Sequence, residues 1–320
     1  MRAAQYSTAS PSLAETIRVN QAPIPSKLGA DQTLVKVAYS SLNPVDYKIA
    51  ETIGHYVFRK PATPGLDFAG TVVRTNRKDL TPGQRVFGNT TPAVFGALAE
   101  YLVVGKGVAV LPNNVPFDQA ACVGVAGLTA YQSIIPYTPK KIFINGGSGG
   151  TGTFGIQFAK CIGAYVVTSC STANIQLCKD LGADEVIDYK TQDLLSALGK
   201  HQFDLIVDNV FNSADIYWHC HEYLKPKGRY VTVGGAISFS IVWNFMKVFL
   251  IPGFLGGGKR PFSFFALDVK QNDLAAIGEW MADGKVRAVI DETFGLTDVG
   301  KAFAKIKRGR TKGKIVIKIG

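Results

Sequence analysis

The chain has 320 residues, 47% of them hydrophobic, and a formal net charge of +11. This length is more than one hydrophobic core usually takes, which predicts two domains. The five cysteines show no C-x-x-C spacing, which argues against a disulfide scaffold or zinc ribbon and is typical of a reducing compartment. The first residues contain no apolar signal segment, so we expect a cytoplasmic protein.

The first third of the chain consists of short strand-like runs separated by proline and glycine. This pattern predicts a compact β-rich domain, which we place at residues 1–120. Its clearest predicted strands lie at 33–39, 69–74 and 98–104.

The pattern changes after residue 118, where a predicted helix at 118–131 leads into alternating strands and helices. Such alternation predicts an α/β domain with a doubly wound parallel sheet, which we place at 121–266. Its ligand is expected at the carboxyl ends of the strands. Residues 267–320 are expected to return to the first domain through a helix at 274–281 and a strand at 314–319. The predicted strands of the sheet are 141–144, 164–169, 185–188, 203–207 and 228–234.

A glycine-rich turn follows the first of these strands and spells Gly147-x-Gly149-x-x-Gly152. In dinucleotide sites the three glycines permit a tight turn, close approach of the pyrophosphate, and packing of helix on strand. The strand before the turn and the amphipathic helix after it favour this function over a purely structural turn. The candidate cofactor contacts here are Gly147, Ser148, Gly149, Gly150, Thr151 and Gly152.

The residues after the second strand predict NADPH rather than NADH. An NAD site needs a carboxylate about 20 residues after the first glycine, and no Asp or Glu lies between residues 146 and 179. Small polar side chains leave room for a 2′-phosphate instead. Tyr189 and Lys190 are either further contacts or a solvated strand end. The remaining candidates are Ser169, Ser171 and Thr172 after the second strand, and Asn209, Val233 and Gly234 after later strands.

The densest basic run, residues 301–318, alternates with apolar residues and has no aromatic platform beside it. This argues against a nucleic-acid partner. A solvated protein face explains the run, and contact with anionic lipid at a membrane surface is the alternative.

Several motifs in order resemble the zinc-independent quinone oxidoreductase branch of the medium-chain dehydrogenase/reductase family, above all its zeta-crystallin and chloroplast-envelope group. The resemblance covers nearly the whole chain, and it implies a GroES-like catalytic domain, a Rossmann domain, NADPH and a homodimer. The motifs are SLNPVDYK (41–48), PGLDFAG (64–70), PGQRVFG (82–88), AEYLVV (99–104), VAGLTAY (125–131), LGADEVIDY (181–189), FDLIVDNV (203–210) and TKGKIVIKI (311–319).

The same resemblance indicates that the chain has no metal site. Zinc-dependent relatives carry a Cys where this chain has Asn43, and Gly-His-Glu where it has 65–67, Gly-Leu-Asp. The triplet at 219–221, His-Cys-His, points to different faces if it is helical. Without a metal to polarise an alcohol, the expected acceptor is a small hydrophobic electrophile, either a quinone or an α,β-unsaturated carbonyl, which takes hydride from NADPH.

The resemblance also assigns residues near the reacting groups. Asn43 is the candidate polar contact to the acceptor or nicotinamide, or else only a turn former before proline. Tyr47 and Tyr56 are candidate donors. Thr129, Phe264 and Phe265 are candidate neighbours of the nicotinamide, or else ordinary interior residues.

Residues 236–258 are almost uncharged. Their place inside a folded domain favours a cleft wall, a lid or a dimer surface, with contact at a membrane surface or a membrane span as alternatives. A different function is also consistent with the sequence, namely an NADPH-binding protein with little reductase activity that attaches to a membrane or partner.

Overall fold

The computed structural model describes residues 1–91, 95–233, 248 and 258–320. The chain forms two compact units. The first comprises Met1–Leu128 and Asp268–Gly320, and the second comprises Thr129–Leu267.

A seven-stranded sheet forms the first unit, in the order β14-β15-β3-β4-β5-β7, with β6 paired to β3. The helices are α1 (Leu13–Thr16), α2 (Pro44–Glu51), α3 (Gly54–Val57), α4 (Phe117–Ala120), α10 (Gln271–Ala282) and α11 (Val299–Lys307), and α5 (Gly124–Ile134) runs on into the second unit. The strands are β1 (Arg2–Gln5), β2 (Arg18–Gln21), β3 (Thr33–Leu42), β4 (Asp67–Thr75), β5 (Arg85–Asn89), β6 (Tyr101–Val104), β7 (Val108–Val110), β14 (Ile290–Gly295) and β15 (Lys314–Lys318).

Strand β3 organises this sheet because it pairs with β4, β6 and β15. Its side chains Val35, Val37 and Leu42 are buried in a core that includes Phe68 and Phe303. The final strand belongs to the first unit and runs antiparallel to β3.

The predicted continuous helix at 118–131 is wrong, since two helices, α4 and α5, occupy this stretch. The N–H of Val125 in the first turn of α5 donates to Oδ1 of the buried Asp67 at 2.7 Å. A helix N-terminus carries free N–H groups that favour a carboxylate, so α5 begins where it can meet this acceptor.

The second unit contains a six-stranded parallel sheet in the order β10-β9-β8-β11-β12-β13. The doubly wound α/β architecture was therefore predicted correctly, and the order reverses direction between β8 and β11. The strands are β8 (Lys141–Asn145), β9 (Tyr165–Cys170), β10 (Glu185–Asp188), β11 (Phe203–Asp208), β12 (Leu224–Thr232) and β13 (Phe262–Phe264), and the helices are α6 (Gly150–Cys161), α7 (Ile175–Asp180), α8 (Leu194–Leu198) and α9 (Asp215–Trp218).

The apolar segment at 236–258 lies outside the described residues, apart from Val248 and Gly258. Val248 is buried in the core of the second unit, beside residues such as Tyr217 and Tyr230. Within the ranges that the structure describes, no helix has both the length and the apolar character needed to cross a membrane.

Candidate active site

The glycine turn lies between β8 and α6, and two of its glycines are required by close packing. A Cβ at Gly147 would clash with the Thr168 hydroxyl, and one at Gly152 would clash with the backbone of Gly146 and Gly147. Gly149 differs, because the nearest atom to a Cβ there is the Gly146 oxygen at 3.5 Å, an ordinary contact. Two glycines therefore serve the packing of the turn, while the third leaves its surface open.

Hydrogen bonds from the neighbouring strands hold this turn. Ser169 accepts from the Gly146 N–H at 3.1 Å and donates to Asn145 Oδ1 at 2.6 Å. The Asn145 amide donates to Asp208 Oδ1 at 2.8 Å, and the Asn209 amide donates to the Asn145 carbonyl at 3.1 Å. Ser169 lies beneath the turn at 1% exposure. Its observed contribution is to position the turn, and its direct contact with a cofactor stays a prediction.

The open face of the turn fits a pyrophosphate. Gly149 is the N-terminal cap of α6, so the N–H groups of Gly150, Thr151 and Gly152 lie in the first turn, where a helix has no acceptors of its own. Those free donors and the helix dipole favour an anion. The side-chain oxygen Oδ1 of Asn209 is buried without a partner among the described residues, and it can accept from a ligand donor.

A polar cluster lies where β9 ends. Asn174 donates from Nδ2 to Ser148 Oγ at 3.0 Å and to Ser171 Oγ at 3.3 Å. Its Oδ1 is buried without a partner in the described part of the chain. Hydroxyls both donate and accept, so the reversed amide, with its oxygen facing the two hydroxyls and its NH₂ group in the buried position, fits the same contacts. The sequence analysis missed Asn174, although its place three residues after Ser171 was a usable signal.

A carboxylate also reaches this region, from the next strand. Asp188 ends β10, and its Oδ2 accepts from the Thr172 hydroxyl at 2.6 Å while its Oδ1 accepts from the Lys190 N–H at 3.0 Å. The Thr172 bond holds the pKa of Asp188 below its usual value. Thr172 therefore has its proton committed to Asp188. The sequence has no acidic residue between 146 and 179, and Asp188 reaches the end of β9 only because β9 and β10 are neighbours in the sheet.

The remaining candidates of the second unit lie mainly at the carboxyl ends of the parallel strands, where the glycine turn also lies. The Val233 N–H donates to the Asp208 carbonyl, and the Phe265 N–H donates to the Thr232 carbonyl. Phe264 is 56% exposed and Tyr189 49% exposed, with the Lys190 ammonium 5.4 Å from the Tyr189 ring. Thr129 is buried in α5, and Gly234 lies outside the described residues.

In the first unit, the Asp67 carboxylate is fully buried and accepts from four groups. Oδ2 accepts from Ser41 Oγ at 3.0 Å, Asn43 Nδ2 at 2.8 Å and Lys314 Nζ at 3.2 Å, and Oδ1 accepts from the Val125 N–H. A buried charge needs such partners because it has lost its water. This carboxylate thus joins segments that are far apart in the sequence.

Lys314 supplies the opposite charge from the first residue of β15, with its side chain 3% exposed. Its ammonium donates to the Leu42 carbonyl at 3.0 Å, to Asn43 Oδ1 at 2.5 Å and to Asp67 Oδ2 at 3.2 Å, so all three protons are used. Asn43 and Asp67 are two of the positions that the resemblance pairs with metal ligands of zinc-dependent relatives. A side-chain cation therefore occupies the space between them.

These contacts fix the orientation of the Asn43 amide, because its oxygen faces the ammonium and its nitrogen faces the carboxylate. In the reversed amide, the NH₂ group would face the ammonium, donor against donor, and the oxygen would face the carboxylate, acceptor against acceptor. The Asn43 backbone N–H donates to Asp46 Oδ2 at 2.7 Å, which closes a capping box at the start of α2. Asn43 therefore has the turn-forming role that the sequence offered as the alternative to a contact with the acceptor. A contact between Asn43 and an acceptor stays a prediction.

Asp46 is completely buried, and its Oδ1 has no partner among the described residues. Loss of water raises the pKa of this carboxyl to about 8, against the lowering effect of the Asn43 N–H. The neutral acid is therefore a substantial form of Asp46 in the folded protein near neutral pH.

The two candidate tyrosines lie in different surroundings. Tyr47 is half-buried against the first core, with the Lys307 ammonium 5.6 Å from its ring. Burial raises the pKa of Tyr47, which keeps its hydroxyl protonated. Tyr56, on α3, is 88% exposed. Their roles as donors stay predictions.

No cluster of three His, Cys, Asp or Glu side chains suited to a metal occurs in the portion that the structure describes. In the triplet at 219–221, His219 Nδ1 faces Glu222 and His221 Nδ1 faces the Trp218 carbonyl. Cys220 is buried in the core instead.

Comparisons with known proteins agree with this geometry. Residues 29–113 match the family described as "Alcohol dehydrogenase GroES-like domain", and residues 181–317 match "Zinc-binding dehydrogenase". The chain is 48% identical to a trans-enoyl reductase of Aspergillus terreus, over 100% of this chain and 96% of the relative. It is 31% identical to a chloroplastic quinone oxidoreductase of Triphysaria versicolor, over 99% and 98% respectively.

The solved quinone oxidoreductase of Coxiella burnetii superposes with a TM-score of 0.86 at 26% identity, covering 100% of this chain and 99% of that one. The chain belongs to the zinc-independent quinone oxidoreductase branch of the medium-chain dehydrogenase/reductase family. It is an oxidoreductase of this family, and the family uses a nicotinamide cofactor. Homodimer formation, membrane contact and cellular location stay predictions.

The glycine turn of this oxidoreductase yields a paired prediction. Gly152→Ala should lower the free energy of unfolding by about 1–3 kcal/mol, because the added methyl group clashes with backbone. Gly149→Ala should leave that energy nearly unchanged and weaken binding of the nicotinamide dinucleotide at least about tenfold, because the methyl group would face the pyrophosphate. Urea unfolding and NADPH fluorescence titration measure the two effects. Unchanged NADPH affinity in Gly149→Ala would exclude this placement of the pyrophosphate.

A second prediction concerns Asp46 and pH. The folded pKa of about 8 lies above the ordinary value of 3.8, so the stabilising contribution of the neutral acid is full at low pH and falls as pH rises through this range. Asp46→Asn cannot ionise. From pH 5 to pH 8, the stability of Asp46→Asn relative to wild type should rise by about 2–4 kcal/mol. Urea unfolding at both values measures it, and a pH-independent difference would contradict the raised pKa.

Proposed function

We propose that this oxidoreductase transfers hydride from NADPH to the β-carbon of an α,β-unsaturated carbonyl compound, with quinones as alternative acceptors. The observation that carries the proposal is the Lys314 ammonium between Asn43 and Asp67. A cation fixed there repels a divalent metal ion, and its side chain fills the volume that such an ion would need. Without a Lewis acid to activate an unreactive alcohol, the acceptor must itself be electrophilic.

An enoyl acceptor is favoured over a quinone by the relatives. The Aspergillus terreus protein, named a trans-enoyl reductase, is 48% identical to this chain, whereas the plant quinone oxidoreductase is 31% identical. Both acceptors are conjugated carbonyl systems, and hydride addition to either places negative charge on an oxygen. The same protein donors can stabilise that charge in both reactions.

The second unit supplies the cofactor site in this proposal. The bound dinucleotide supplies the hydride. The free N–H groups at the start of α6 bind its pyrophosphate, and Gly149 keeps the surface of the turn clear for it. Asn209 Oδ1 accepts a hydrogen bond from the ligand in place of its missing partner.

The cluster of Ser148, Ser171 and Asn174 supports NADPH over NADH. A phosphate only accepts hydrogen bonds, and the Ser148 and Ser171 hydroxyls, which accept from Asn174, keep their own protons to donate to it. Lys190, two residues beyond the end of β10, is proposed to supply positive charge. Asp188 is a carboxylate, but Thr172 and the Lys190 N–H already bind its oxygens. Each carboxylate oxygen can accept more than one hydrogen bond, so these contacts reduce but do not remove the capacity of Asp188 to accept from a ribose hydroxyl.

Asn43 is the proposed donor to the acceptor's oxygen. One hydrogen of its Nδ2 is bonded to Asp67, and the oriented amide holds the second in a fixed direction. A donor held before the reaction costs no reorganisation when charge develops on the acceptor. We assign no general acid to the carbon that takes the proton, and solvent can supply that proton.

The activity test is NADPH oxidation against medium-chain enones, enals and quinones, in wild type, Asn43→Ala and Ser41→Ala. Ser41 donates to the same Asp67 oxygen, so Ser41→Ala removes one bond of this network, whereas Asn43→Ala removes two, the one to Asp67 and the one from Lys314. Asn43→Ala should lower kcat about 100-fold with unchanged NADPH affinity, the loss expected for one oxyanion donor. Ser41→Ala should keep kcat within about threefold of wild type. Equal losses in both variants would return Asn43 to a structural role, and no turnover of any acceptor by wild type would contradict the proposed function.

Cofactor choice has its own prediction. Ser171→Asp places a carboxylate in the proposed 2′-phosphate site, and like-charge repulsion should lower kcat/KM for NADPH relative to NADH at least about tenfold. Gln176→Asp adds the same charge on an exposed position of α7 and should leave the ratio nearly unchanged. An unchanged ratio in Ser171→Asp, or an equal change in both variants, would contradict this placement.

A further inference from the structure

The strand β14 forms one edge of the sheet in the first unit. It pairs with β15 on one side, and no described strand pairs with it on the other. Thr293 in its middle is exposed, and Phe294 beside it is half-buried. An open edge of this kind presents backbone N–H and C=O groups that an extended chain can bond.

A groove of about 660 Å³ lies between this edge strand and the helix α11. Phe294 and Ala304 give the groove apolar surface, and Lys301, Arg308 and Arg310 line it with positive charge. Lys305 and Glu292 complete its lining, with Glu292 on the edge strand. The groove therefore combines apolar side chains with four cationic groups and one carboxylate.

The charge of the groove is incompletely balanced by the protein. Lys301 is paired with Asp298, and Lys305 with Asp291 and Glu292. Arg308 and Arg310 are exposed, and no carboxylate of the described ranges lies within ion-pair distance of either guanidinium. The groove thus carries positive charge that no carboxylate of the described residues pairs, next to its apolar surface.

We propose that this groove binds an extended, acidic segment of a partner protein, which adds a strand to β14. Acidic side chains of the segment pair with Arg308 and Arg310, and an apolar side chain covers Phe294 and Ala304. Because successive side chains of a strand point to opposite faces of its sheet, the acidic and apolar residues that enter the groove lie on one face of the segment, at every second position. A planar lipid surface fits a concave groove poorly. A second copy would bring two identical basic patches together, because a twofold interface uses the same patch twice.

The test uses fluorescence anisotropy with the protein and a labelled peptide of about ten residues, in which every second residue is in turn glutamate or valine and the residues between are threonine. Arg308→Glu with Arg310→Glu should weaken binding at least about tenfold. Lys27→Glu with Lys106→Glu changes the net charge equally at exposed sites away from the groove, and it should weaken binding less than about threefold. NADPH oxidation should be unchanged in both, which verifies folding.

The same peptide with alternate backbone nitrogens methylated keeps its charge and loses one edge of donors, so it should bind at least about tenfold more weakly. Equal binding of the methylated peptide would overturn strand addition. Equal weakening by the two charge-reversal pairs would show bulk attraction only. Tighter binding of the groove to vesicles with anionic lipid than to the peptide, or concentration-dependent dimerisation lost in the Arg308 and Arg310 variant, would overturn the acidic segment as its occupant.

Discussion

The buried ion pair between Asp67 and Lys314 is the constraint on which the first unit depends. Asp67 accepts from Ser41 on β3, Asn43 before α2, Lys314 on β15 and Val125 on α5. Removing one partner of such a buried pair leaves an uncompensated charge, which typically costs about 3–5 kcal/mol. The pair therefore sets the register in which the last strand joins the sheet and the position at which two helices begin.

The same pair determines what chemistry the site can perform. Its ammonium holds the Asn43 amide in one orientation and takes the space between two positions that correspond to metal ligands in zinc-dependent relatives. The first unit thus offers an oriented hydrogen-bond donor in place of a Lewis acid. The second unit offers a turn whose packing is fixed by Gly147 and Gly152 and whose open surface suits a pyrophosphate. Each of these features, taken by itself, suits the proposed hydride transfer to an acceptor that needs little activation.

Local patterns predicted the fold and the glycine turn well, because strand periodicity and the spacing of glycines are properties of neighbouring residues. The strand at 185–188 was predicted with its observed bounds. The break between α4 and α5 was missed, because it depends on the acceptor that Asp67 brings from another part of the chain.

The polar contacts of the site were harder to predict for the same reason. Lys314 is 271 residues from Asn43 and 247 from Asp67, and in the sequence it is one lysine in a basic run. Asp188 lies 16 residues beyond Thr172 and meets it only because β9 and β10 are neighbours. Asn174 was close to the predicted phosphate site, but only the structure shows that it links Ser148 with Ser171.

Deuterium transfer from NADPH labelled at C4 of the nicotinamide, to a medium-chain enone in ordinary water, tests the central claim most directly. Both labelled epimers are used, and the product is examined by NMR. The account predicts a saturated ketone with one deuterium on the carbon β to the carbonyl from one epimer, and a solvent hydrogen on the α-carbon. An allylic alcohol with deuterium on the former carbonyl carbon would contradict it, because that product requires the carbonyl activation for which this site has no Lewis acid position free.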